Sequence, residues 1–366
     1  PRPNRVQSPT KSASVAPRTV TEQSLAALWE KILNVRPVGA TDNFFELGGN
    51  SLLAAYLFTE IEQVWGQALP ISMLFEAPTL EQLATVLQNH TAPQEMRSLV
   101  PIQKGQGKPP LFCMHTRTGQ VFEYYPLAQQ LAPEQPVYGL QAPQVGGKAV
   151  FHASIEQMAT PYLEEIRARQ PQGPYFLCGY SFGGLIAYEV AQQLMEQGQT
   201  IELLALIDTY NTSQRWFQPL SRAGKVRQHL RNLQQLGWHN TLSYFQGRAA
   251  FKPIPDDNIQ SLFLQANDRC EQLAAAYKPQ PYSGRVLLFK ASQQPTRDFM
   301  RSTITDPSLG WRALVPAGLE IQELPCDHFS LLKEPALNTL AAQLQAALGA
   351  AGAQRRFGSV TLRRAA

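Results

Sequence analysis

The chain has 366 residues, of which 44% are hydrophobic and only 16% charged, and its formal net charge at pH 7 is +4. This composition can bury the core of one large domain or of two unequal ones, and it excludes a disordered or fibrous protein. No apolar run reaches the roughly 18 to 20 residues of a membrane-spanning helix, and residues 1–18 lack the apolar centre of a signal peptide. We therefore expect a cytoplasmic, monomeric protein, and the Pro- and Ser-rich start without methionine predicts a segment of a longer polypeptide.

Charge is distributed unevenly along the chain. Residues 17–92 carry a formal charge of −5, and the remainder carries +9. An acidic smaller domain is thus predicted to precede a basic larger one. The basic residues are not clustered and interleaved with aromatic residues, as a nucleic-acid surface requires, and the densest group is C-terminal: Arg355, Arg356, Arg363 and Arg364. We expect no nucleic-acid binding.

The sequence shows no motif for a metal or a nucleotide. Its four cysteines are far apart, form no Cys-x-x-Cys pair and lie mostly in apolar runs: Cys113, Cys178, Cys270 and Cys326. They are predicted to be reduced and buried rather than metal ligands. A Walker loop, a Rossmann glycine run and a His/Cys ligand cluster are also missing from the sequence.

Apolar spacing predicts a small helical domain near the N-terminus. Residues 1–18, rich in Pro, Ser and Arg, are interpreted as a flexible linker. Four helices are then predicted, at residues 21–33, 51–64 and 72–75 and in the segment that follows Thr79. Thr79, with Gln82 three residues later, predicts a capping box for the last of them. Residues 19–92 thus form a predicted four-helix bundle, and residues 93–108 a second linker.

The following chain has the pattern of a sheet covered by helices. Short apolar runs predict buried strands at residues 110–115, 137–141, 175–179, 203–208, 285–290 and 319–324. Helical stretches such as 154–169 and 183–197 alternate with them, which predicts a mostly parallel sheet with helices on both faces over residues 109–350. The alternation lapses over about residues 210–283, where helix-like spacing of Trp, Phe and Leu predicts a helical insertion. Residues 351–366 are interpreted as a basic, solvated tail.

The first candidate site is Ser51, which follows two glycines at the start of the second predicted helix. Glycines allow the backbone to turn sharply, and the N–H groups at a helix N-terminus suit a phosphate ester on the serine hydroxyl. Serine is also a common helix N-cap, so these local features alone favour a purely structural role.

The run from Asp42 to Leu52, Asp-Asn-Phe-Phe-Glu-Leu-Gly-Gly-Asn-Ser-Leu, resembles the carrier domains of nonribosomal peptide synthetases, as does the preceding predicted helix. In that family the serine of a Gly-Gly-(His/Asp)-Ser-Leu core receives phosphopantetheine from coenzyme A. The resemblance covers nearly all of residues 18–92 and implies that a phosphopantetheinyl transferase attaches this group to Ser51. Asn50 departs from the usual His or Asp, a change expected to affect partner choice more than competence. The acidic surroundings fit docking to a basic modifying enzyme.

The second candidate site is Ser181, within the sequence Gly-Tyr-Ser-Phe-Gly at residues 179–183. This Gly-x-Ser-x-Gly motif follows the apolar strand at residues 175–178 and precedes the helical run at residues 185–195. In such a strand-turn-helix setting a strained elbow lifts the serine hydroxyl above the sheet. Ser181 is therefore predicted to be a nucleophile.

A serine nucleophile needs a base, and the base needs an acid that orients it. His328 follows the predicted strand at residues 319–324 and is the predicted base. The other histidines are less well placed: His90, His115, His152, His229 and His239. Asp208, at the end of an earlier predicted strand, is the first candidate for the acid, and Asp298 is its competitor. Asp327, next to the histidine, cannot easily reach back to the ring.

Residues 100–349 resemble the type I thioesterase domains that end nonribosomal peptide and polyketide synthases, which have the α/β-hydrolase fold. The Asp-His-Phe-Ser-Leu-Leu sequence from Asp327 to Leu332 matches an ending found in that family. In that family the acid follows the strand after the nucleophile helix. The resemblance therefore favours Asp208 over Asp298.

The same resemblance implies an oxyanion hole built from two backbone N–H groups. One belongs to Phe182, and the other comes from the first strand-to-helix loop, which by position is that of Arg117. This loop is usually His-Pro-x-Gly-Gly, whereas residues 115–119 read His-Thr-Arg-Thr-Gly. His115, at the end of the first predicted strand of this domain, is expected to shape the loop rather than to act as the base.

The two resemblances together predict the terminal unit of an assembly line for nonribosomal peptides or hybrid polyketides. Ser181, with His328 and Asp208, would take the acyl or peptidyl chain from the Ser51 arm and pass it to water or to a nucleophile of that chain. The insertion at about 210–283 would act as a lid. Upstream condensation and adenylation domains, or polyketide synthase domains, are the implied partners. The alternatives are an esterase or lipase with an unrelated helical appendage, and a carrier joined to an inactive hydrolase fold that serves for docking.

Overall fold

The computed structural model describes residues 15–89, 98–131, 133–145, 148–213, 217–219, 257–293, 302–304 and 306–361. The chain divides into two compact units, Pro1–Met96 and Arg97–Ala366. The first unit is helical, and the second is built on a sheet. Within the ranges described, no helix is both long and apolar enough to cross a membrane.

The first unit packs helices around a small apolar core. Its helices are α1 (Val20–Leu33), α2 (Ser51–Trp65), α3 (Met73–Glu76) and α4 (Leu80–Asn89). The fully buried Trp29 packs edge-on against Phe44, with ring centroids 5.4 Å apart. Before α4, the Gln82 N–H donates to Thr79 Oγ1 and the Thr79 N–H donates to the Gln82 side chain. The predicted capping box is thus confirmed.

The second unit is built on one large sheet and two small ribbons. In chain order its strands are β1 (Leu99–Gln103), β2 (Leu111–Met114), β3 (Val137–Leu140), β4 (Gln144–Val145), β5 (Lys148–Ala149), β6 (Tyr175–Tyr180), β7 (Ile201–Ile207), β8 (Phe217–Pro219), β9 (Val286–Gln293), β10 (Ser302–Ile304) and β11 (Leu319–Asp327). The large sheet has seven strands in the order β1-β3-β2-β6-β7-β9-β11. All its pairings are parallel except that of β1 with β3, which confirms the predicted mostly parallel sheet.

Helices cover both faces of this sheet. They are α5 (Tyr125–Gln130), α6 (Ile155–Arg169), α7 (Phe182–Glu196), α8 (Asp257–Ala276) and α9 (Ala336–Thr361). Phe112 and Met114 of β2 belong to the core that includes α6 and α7. The intervening Leu111 and Cys113 are also fully buried. Because successive side chains of a strand point to opposite faces, these two lie on the side where α5 and α9 pack together.

All four cysteines are buried, unpaired thiols, as the sequence predicts. Cys113 of β2 and Cys178 of β6 lie opposite each other in the parallel pairing at the centre of the sheet. Both are fully buried among apolar residues, so they act as small hydrophobic side chains in the core.

Two predictions about the segments that flank the sheet are wrong. Residues 93–108 are not a linker throughout, because Leu99–Gln103 forms the antiparallel edge strand β1. Pro101 lies within it, and a proline is tolerated there because an edge strand leaves one row of backbone groups unpaired. Residues 351–366 are not a tail throughout, because α9 continues to Thr361.

The predicted insertion at about 210–283 lies largely outside the described residues. Its last part forms α8, in agreement with the helical prediction. Residues 217–219 instead form β8, which pairs with β10 in an antiparallel ribbon. The role of this insertion as a lid stays a prediction.

Candidate active site

Ser51 is the first residue of α2, and its neighbour Asn50 is the N-cap. Asn50 Oδ1 accepts hydrogen bonds from the backbone N–H groups of Leu52 and Leu53, both at 3.1 Å. The capping role that the sequence left open for Ser51 is therefore filled by Asn50. Ser51 is partly exposed at the N-terminus of the helix, where the partial positive charge of the helix dipole is favourable for a phosphate.

Phe44 holds the loop that precedes Ser51. The Phe44 side chain is fully buried, and its carbonyl accepts a hydrogen bond of 2.9 Å from the Gly49 N–H. A Cβ atom at Gly49 would overlap the Phe44 ring, so the loop can approach the ring this closely only with glycine there. This contact fixes the start of α2 against the core of the first unit.

Ser181 occupies a strained turn between β6 and α7, with φ 55° and ψ −118°. A positive φ is uncommon for a residue with a side chain and costs about 1 to 3 kcal/mol. The Ser181 N–H donates to the carbonyl of Ile207 at the end of β7, at 2.8 Å. The partly exposed serine is thus fixed at the carboxyl ends of two neighbouring strands.

The glycine after Phe182 brings the start of α7 against the loop that follows β2. A Cβ atom at Gly183 would lie only 2.6 Å from the carbonyl oxygen of His115. Phe182 is the first residue of α7, so its N–H has no acceptor within the helix. The two groups predicted for the oxyanion hole, at Phe182 and Arg117, therefore belong to adjoining segments.

His328 and Asp208 are joined directly, although 120 positions separate them in the sequence. His328 follows β11 in a short 3₁₀ helix, and Asp208 follows β7. The distance between His328 Nδ1 and Asp208 Oδ2 is 2.7 Å. The Asp208 side chain is fully buried, whereas the His328 side chain is 14% exposed. When Nδ1–H is donated to Asp208, the neutral ring has a lone pair on Nε2, as a general base requires.

Two further groups hydrogen-bond the Asp208 carboxylate. The Ala291 N–H of β9 donates to Oδ1 at 3.0 Å, and the Tyr210 hydroxyl donates to Oδ2 at 3.2 Å. These bonds offset the lost hydration of a buried charge and fix the plane of the carboxylate. The Asp208 carboxylate thus has three hydrogen-bond partners, which are Ala291, Tyr210 and His328.

Tyr180 links His328 to the turn that holds Ser181. Its hydroxyl donates to the carbonyl of His328 at 2.5 Å, and the two ring centroids are 5.1 Å apart. Burial raises the pKa of Tyr180 well above its usual value, and the Asp208 carboxylate adds to this, so the hydroxyl remains a donor. Among the residues described, no hydrogen bond joins the Ser181 hydroxyl to the His328 ring. The structure brings these two together through Tyr180, which directly precedes Ser181 in the chain.

The other residues weighed for the base and the acid have different surroundings. The Asp327 carboxylate accepts a hydrogen bond from the Phe329 N–H at 2.8 Å, so it caps the turn that follows it. His115 is fully buried, its Nδ1–H donates to the Thr116 carbonyl at 2.7 Å, and burial lowers its pKa to about 4. Asp298 lies outside the described residues. In the part of the chain that the structure covers, no cluster of His, Cys, Asp or Glu could hold a metal ion.

Glu123 places a carboxyl group next to Thr116, in the loop after β2. Its Oε2 atom is buried and has no hydrogen-bond partner within the described residues. Burial raises the pKa of Glu123 to about 7, although its own backbone N–H and the Thr116 hydroxyl act in the opposite direction. Because the folded state binds this proton more tightly than the unfolded chain, stability is lost as pH rises from about 4.5 to about 7.

We expect Glu123→Gln to remove most of this loss. Between pH 5 and pH 8, the free energy of unfolding of the wild type should fall by about 2 to 3 kcal/mol more than that of the variant, because only the wild type must ionise a buried carboxyl. Urea denaturation at the two pH values measures the difference. Glu196→Gln, which changes an exposed carboxylate at the end of α7, is the matched control. Equal pH dependence in wild type and Glu123→Gln would contradict the prediction.

Sequence reasoning misses Tyr180 and Tyr210 as members of the site. Tyr180 lies inside the Gly-x-Ser-x-Gly motif, and Tyr210 lies two residues after Asp208. Closeness to a catalytic candidate is therefore the only signal that the sequence offers for either residue. The Tyr180 hydroxyl bonds to His328, after β11, and the Tyr210 hydroxyl bonds to Asp208, after β7. The sequence pattern does not reveal where these two strands end in space.

Two family models match the chain. The model described as "Thioesterase domain" matches residues 109–348. The model described as "Phosphopantetheine attachment site" matches residues 23–87. The first match includes Ser181 and the His328–Asp208 pair, and the second includes Ser51.

Similar proteins are large synthetases. The chain is 33% identical over 320 residues to malpibaldin synthetase of Mortierella alpina. This alignment covers 85% of this chain and 5% of that protein. The chain is 31% identical over 332 residues to a dimodular nonribosomal peptide synthase of Bacillus subtilis, covering 86% of this chain and 14% of that protein. A solved holo four-domain nonribosomal peptide synthetase, bound to AMP and glycine, is 28% identical with a TM-score of 0.56, covering 94% of this chain and 27% of that one. The chain therefore spans only a small part of the length of these relatives.

Proposed function

The chain belongs to the thioesterase family and has a phosphopantetheine attachment domain before its thioesterase domain, and from this premise we propose that it ends the synthesis of a nonribosomal peptide or hybrid polyketide by releasing the finished chain. The acyl or peptidyl group would be held as a thioester on the Ser51 arm and transferred to Ser181. The observation that carries this proposal is the 2.7 Å contact between His328 Nδ1 and the buried Asp208, together with the strained turn of Ser181, whose neighbour Tyr180 hydrogen-bonds His328.

The residues around Ser51 fit a phosphopantetheine ester. Asn50 caps α2, so the Ser51 hydroxyl is not needed for capping. The first turn of α2 contains no acidic residue, and the partial positive charge at this helix N-terminus favours a phosphate. When bound, the group would supply a thiol that holds the growing chain as a reactive thioester.

In the proposed reaction, Ser181 Oγ attacks the thioester carbonyl carbon while His328 Nε2 takes the hydroxyl proton. Asp208 stabilises the resulting imidazolium, and the N–H groups of Phe182 and Arg117 stabilise the oxyanion. The carbon–sulfur bond then breaks, the thiol leaves with the proton from His328, and the acyl group remains as an ester on Ser181. Water, or an amine or hydroxyl of the bound chain, next attacks this ester with His328 as the base. Release by water gives a linear acid, and release by an internal nucleophile gives a macrocycle.

The proposal implies two kinds of partner. A phosphopantetheinyl transferase would modify Ser51, using coenzyme A. Upstream condensation and adenylation domains, or polyketide synthase domains, would deliver the chain to be released. The similarity to synthetases of which this chain spans only a small part supports this arrangement.

The test follows both chemistries on the whole chain. The protein is incubated with a phosphopantetheinyl transferase and either coenzyme A or octanoyl coenzyme A, and its intact mass is measured over time. We expect one phosphopantetheine on the Ser51 peptide, none in Ser51→Ala, and loss of the octanoyl group with time. Ser72→Ala, which changes another partly exposed serine of the same unit, should be modified like the wild type.

Two results would replace this proposal by another. Hydrolysis of small esters by a chain whose Ser51 cannot be modified would indicate an esterase with an unrelated helical unit. Modification of Ser51 without labelling of Ser181 by a fluorophosphonate would indicate a carrier joined to an inactive docking unit.

A further inference from the structure

The side chain of Arg117 fastens the loop after β2 to α8. Arg117 Nη1 donates to Glu271 Oε1 at 3.0 Å and to Asn267 Oδ1 at 3.2 Å. Asn267 Nδ2 in turn donates to the same Glu271 oxygen at 3.3 Å. The guanidinium is therefore held by two side chains that also bond each other, which restricts its position more than a single ion pair would.

A third residue of α8 reaches the backbone of the same loop. The Cys270 thiol donates to the Arg117 carbonyl at 3.5 Å, and Cys270 is fully buried. Burial raises the pKa of this thiol to about 12, so it remains a protonated donor at neutral pH. Asn267, Cys270 and Glu271 are three and four positions apart and so occupy one face of the helix. That face contacts both the side chain and the backbone carbonyl of Arg117.

The helix that provides these contacts is itself attached to the body of the second unit. Leu273 and Ala274 lie in the core together with α6 and α7. The hydroxyl of Tyr277, the residue that directly follows α8, donates to Glu189 Oε2 of α7 at 2.8 Å. The C-terminal half of α8 is thus a fixed support for whatever it holds.

Few backbone hydrogen bonds hold the loop from within. The Thr116 N–H donates to the Gln120 carbonyl at 3.2 Å, and the Gly119 N–H donates to the Thr116 carbonyl at 3.0 Å. Arg117 lies between these anchor points, at the tip of the loop. Thr118 Oγ1 adds an internal bond, because it accepts from the Gln120 N–H at 3.3 Å. The contacts to α8 fix the peptide groups around Arg117 further.

We propose that Arg117 is a positioning residue for the release reaction: its guanidinium, held by Glu271 and Asn267, fixes the loop whose backbone N–H stabilises the oxyanion. This inference rests on the proposed function.

The Arg117 and Glu271 side chains are 26% and 40% exposed, and an ion pair of this kind contributes little to stability. A shift of about 1 Å in a group that contacts the transition state can slow a reaction about 100-fold. The consequence of losing this contact is therefore a slower reaction in a protein that remains folded.

The test compares Arg117→Ala, Glu271→Ala and the double variant in the hydrolysis of octanoyl-N-acetylcysteamine thioester by the whole chain. We expect each single change to lower kcat about 10- to 30-fold and to change KM less than about twofold. This loss is smaller than the roughly 100- to 1,000-fold decrease in kcat that follows outright loss of an oxyanion donor. The double variant should be no slower than Arg117→Ala, because both changes break one contact. If Arg117→Ala fails to fold, Glu271→Gln removes the charge with little change of shape and gives the same readouts.

Two inhibitors separate positioning from substrate binding. Octylboronic acid, which forms a tetrahedral adduct on a reactive serine, should bind more weakly to each variant in proportion to its loss of kcat. The unreactive octyl-N-acetylcysteamine thioether should bind equally to all. Arg285→Ala, which breaks a similarly exposed ion pair with Glu320 at 3.3 Å, is the matched control and should retain wild-type kinetics.

Either of two results would overturn the inference. One is wild-type kcat in Arg117→Ala, and the other is equal weakening of boronate and thioether binding, which would make Arg117 a substrate-binding residue. Both are distinguishable from failure of the proposed function, in which Ser181→Ala would retain the wild-type rate of release.

Discussion

Replacement of Ser181 with alanine is expected to stop release while Ser51 is still loaded. In the proposed reaction the serine oxygen bonds to the acyl carbon, so neither His328 nor Asp208 has a group to activate once that oxygen is removed. We expect release to slow about 10⁴- to 10⁶-fold, a loss typical of removing the nucleophile of a serine triad. Acyl groups should then accumulate on the Ser51 peptide, which intact-mass and peptide mass spectrometry measure directly.

Controls for this experiment follow from the turn itself. Alanine keeps the β-carbon at φ 55°, so the temperature of unfolding should not change. Ser181→Cys places another nucleophile in the same turn and should still form an acyl adduct. Release by Ser181→Ala within about tenfold of the wild-type rate would show that the acyl group does not pass through this residue.

Asp208→Asn should nearly abolish release without disturbing the fold. Asp208 accepts from the Ala291 N–H on one oxygen and from His328 Nδ1 on the other. An asparagine has only one acceptor oxygen, so satisfying Ala291 turns its NH₂ group toward the histidine. The ring must then accept at Nδ1 and carry its proton on Nε2, where it cannot act as a base. We expect kcat to fall about 10⁴-fold, with KM nearly unchanged.

Two carboxylates serve as controls for the assignment of the acid. Asp327→Asn changes the residue next to His328, but that carboxylate caps the following turn, so kcat should fall less than about tenfold. Asp298→Asn should retain the wild-type rate. A large loss in Asp298→Asn together with normal release in Asp208→Asn would assign the acid to Asp298.

The positions of the candidate catalytic residues could be predicted because each follows a regular element. Ser181 stands between a strand and a helix, and Asp208 and His328 follow apolar strands whose ends meet at one edge of a parallel sheet. Such positions are visible as short apolar runs followed by a polar residue. The 2.7 Å contact between Asp208 and His328 is the expected result of that arrangement.

Features that depend on distant partners or on broken patterns could not be predicted. The side-chain role of Arg117 requires Glu271, which lies 154 positions later in the chain. Strand β1 is hard to predict because Pro101 interrupts it and Gly and Pro follow it, whereas its strand pairing is made with β3, 34 to 41 positions later in the chain. At Ser51 the sequence offered two roles, and only the hydrogen bonds of Asn50 show that capping belongs to the neighbour.

The attachment of the loop after β2 to α8 has a consequence for chimaeric proteins. Ser181 and Asp208 are fixed by adjacent strands, so the segment after Ser213 and before α8 can be exchanged for that of a relative while Asp208 and its partner Tyr210 are kept. An exchange that extends through α8 would remove the face formed by Asn267, Cys270 and Glu271 and leave Arg117 without its support. To keep the release rate of the parent protein, the recombination boundary must therefore lie inside α8, on the N-terminal side of Asn267. A boundary after the end of α8 would not preserve that rate.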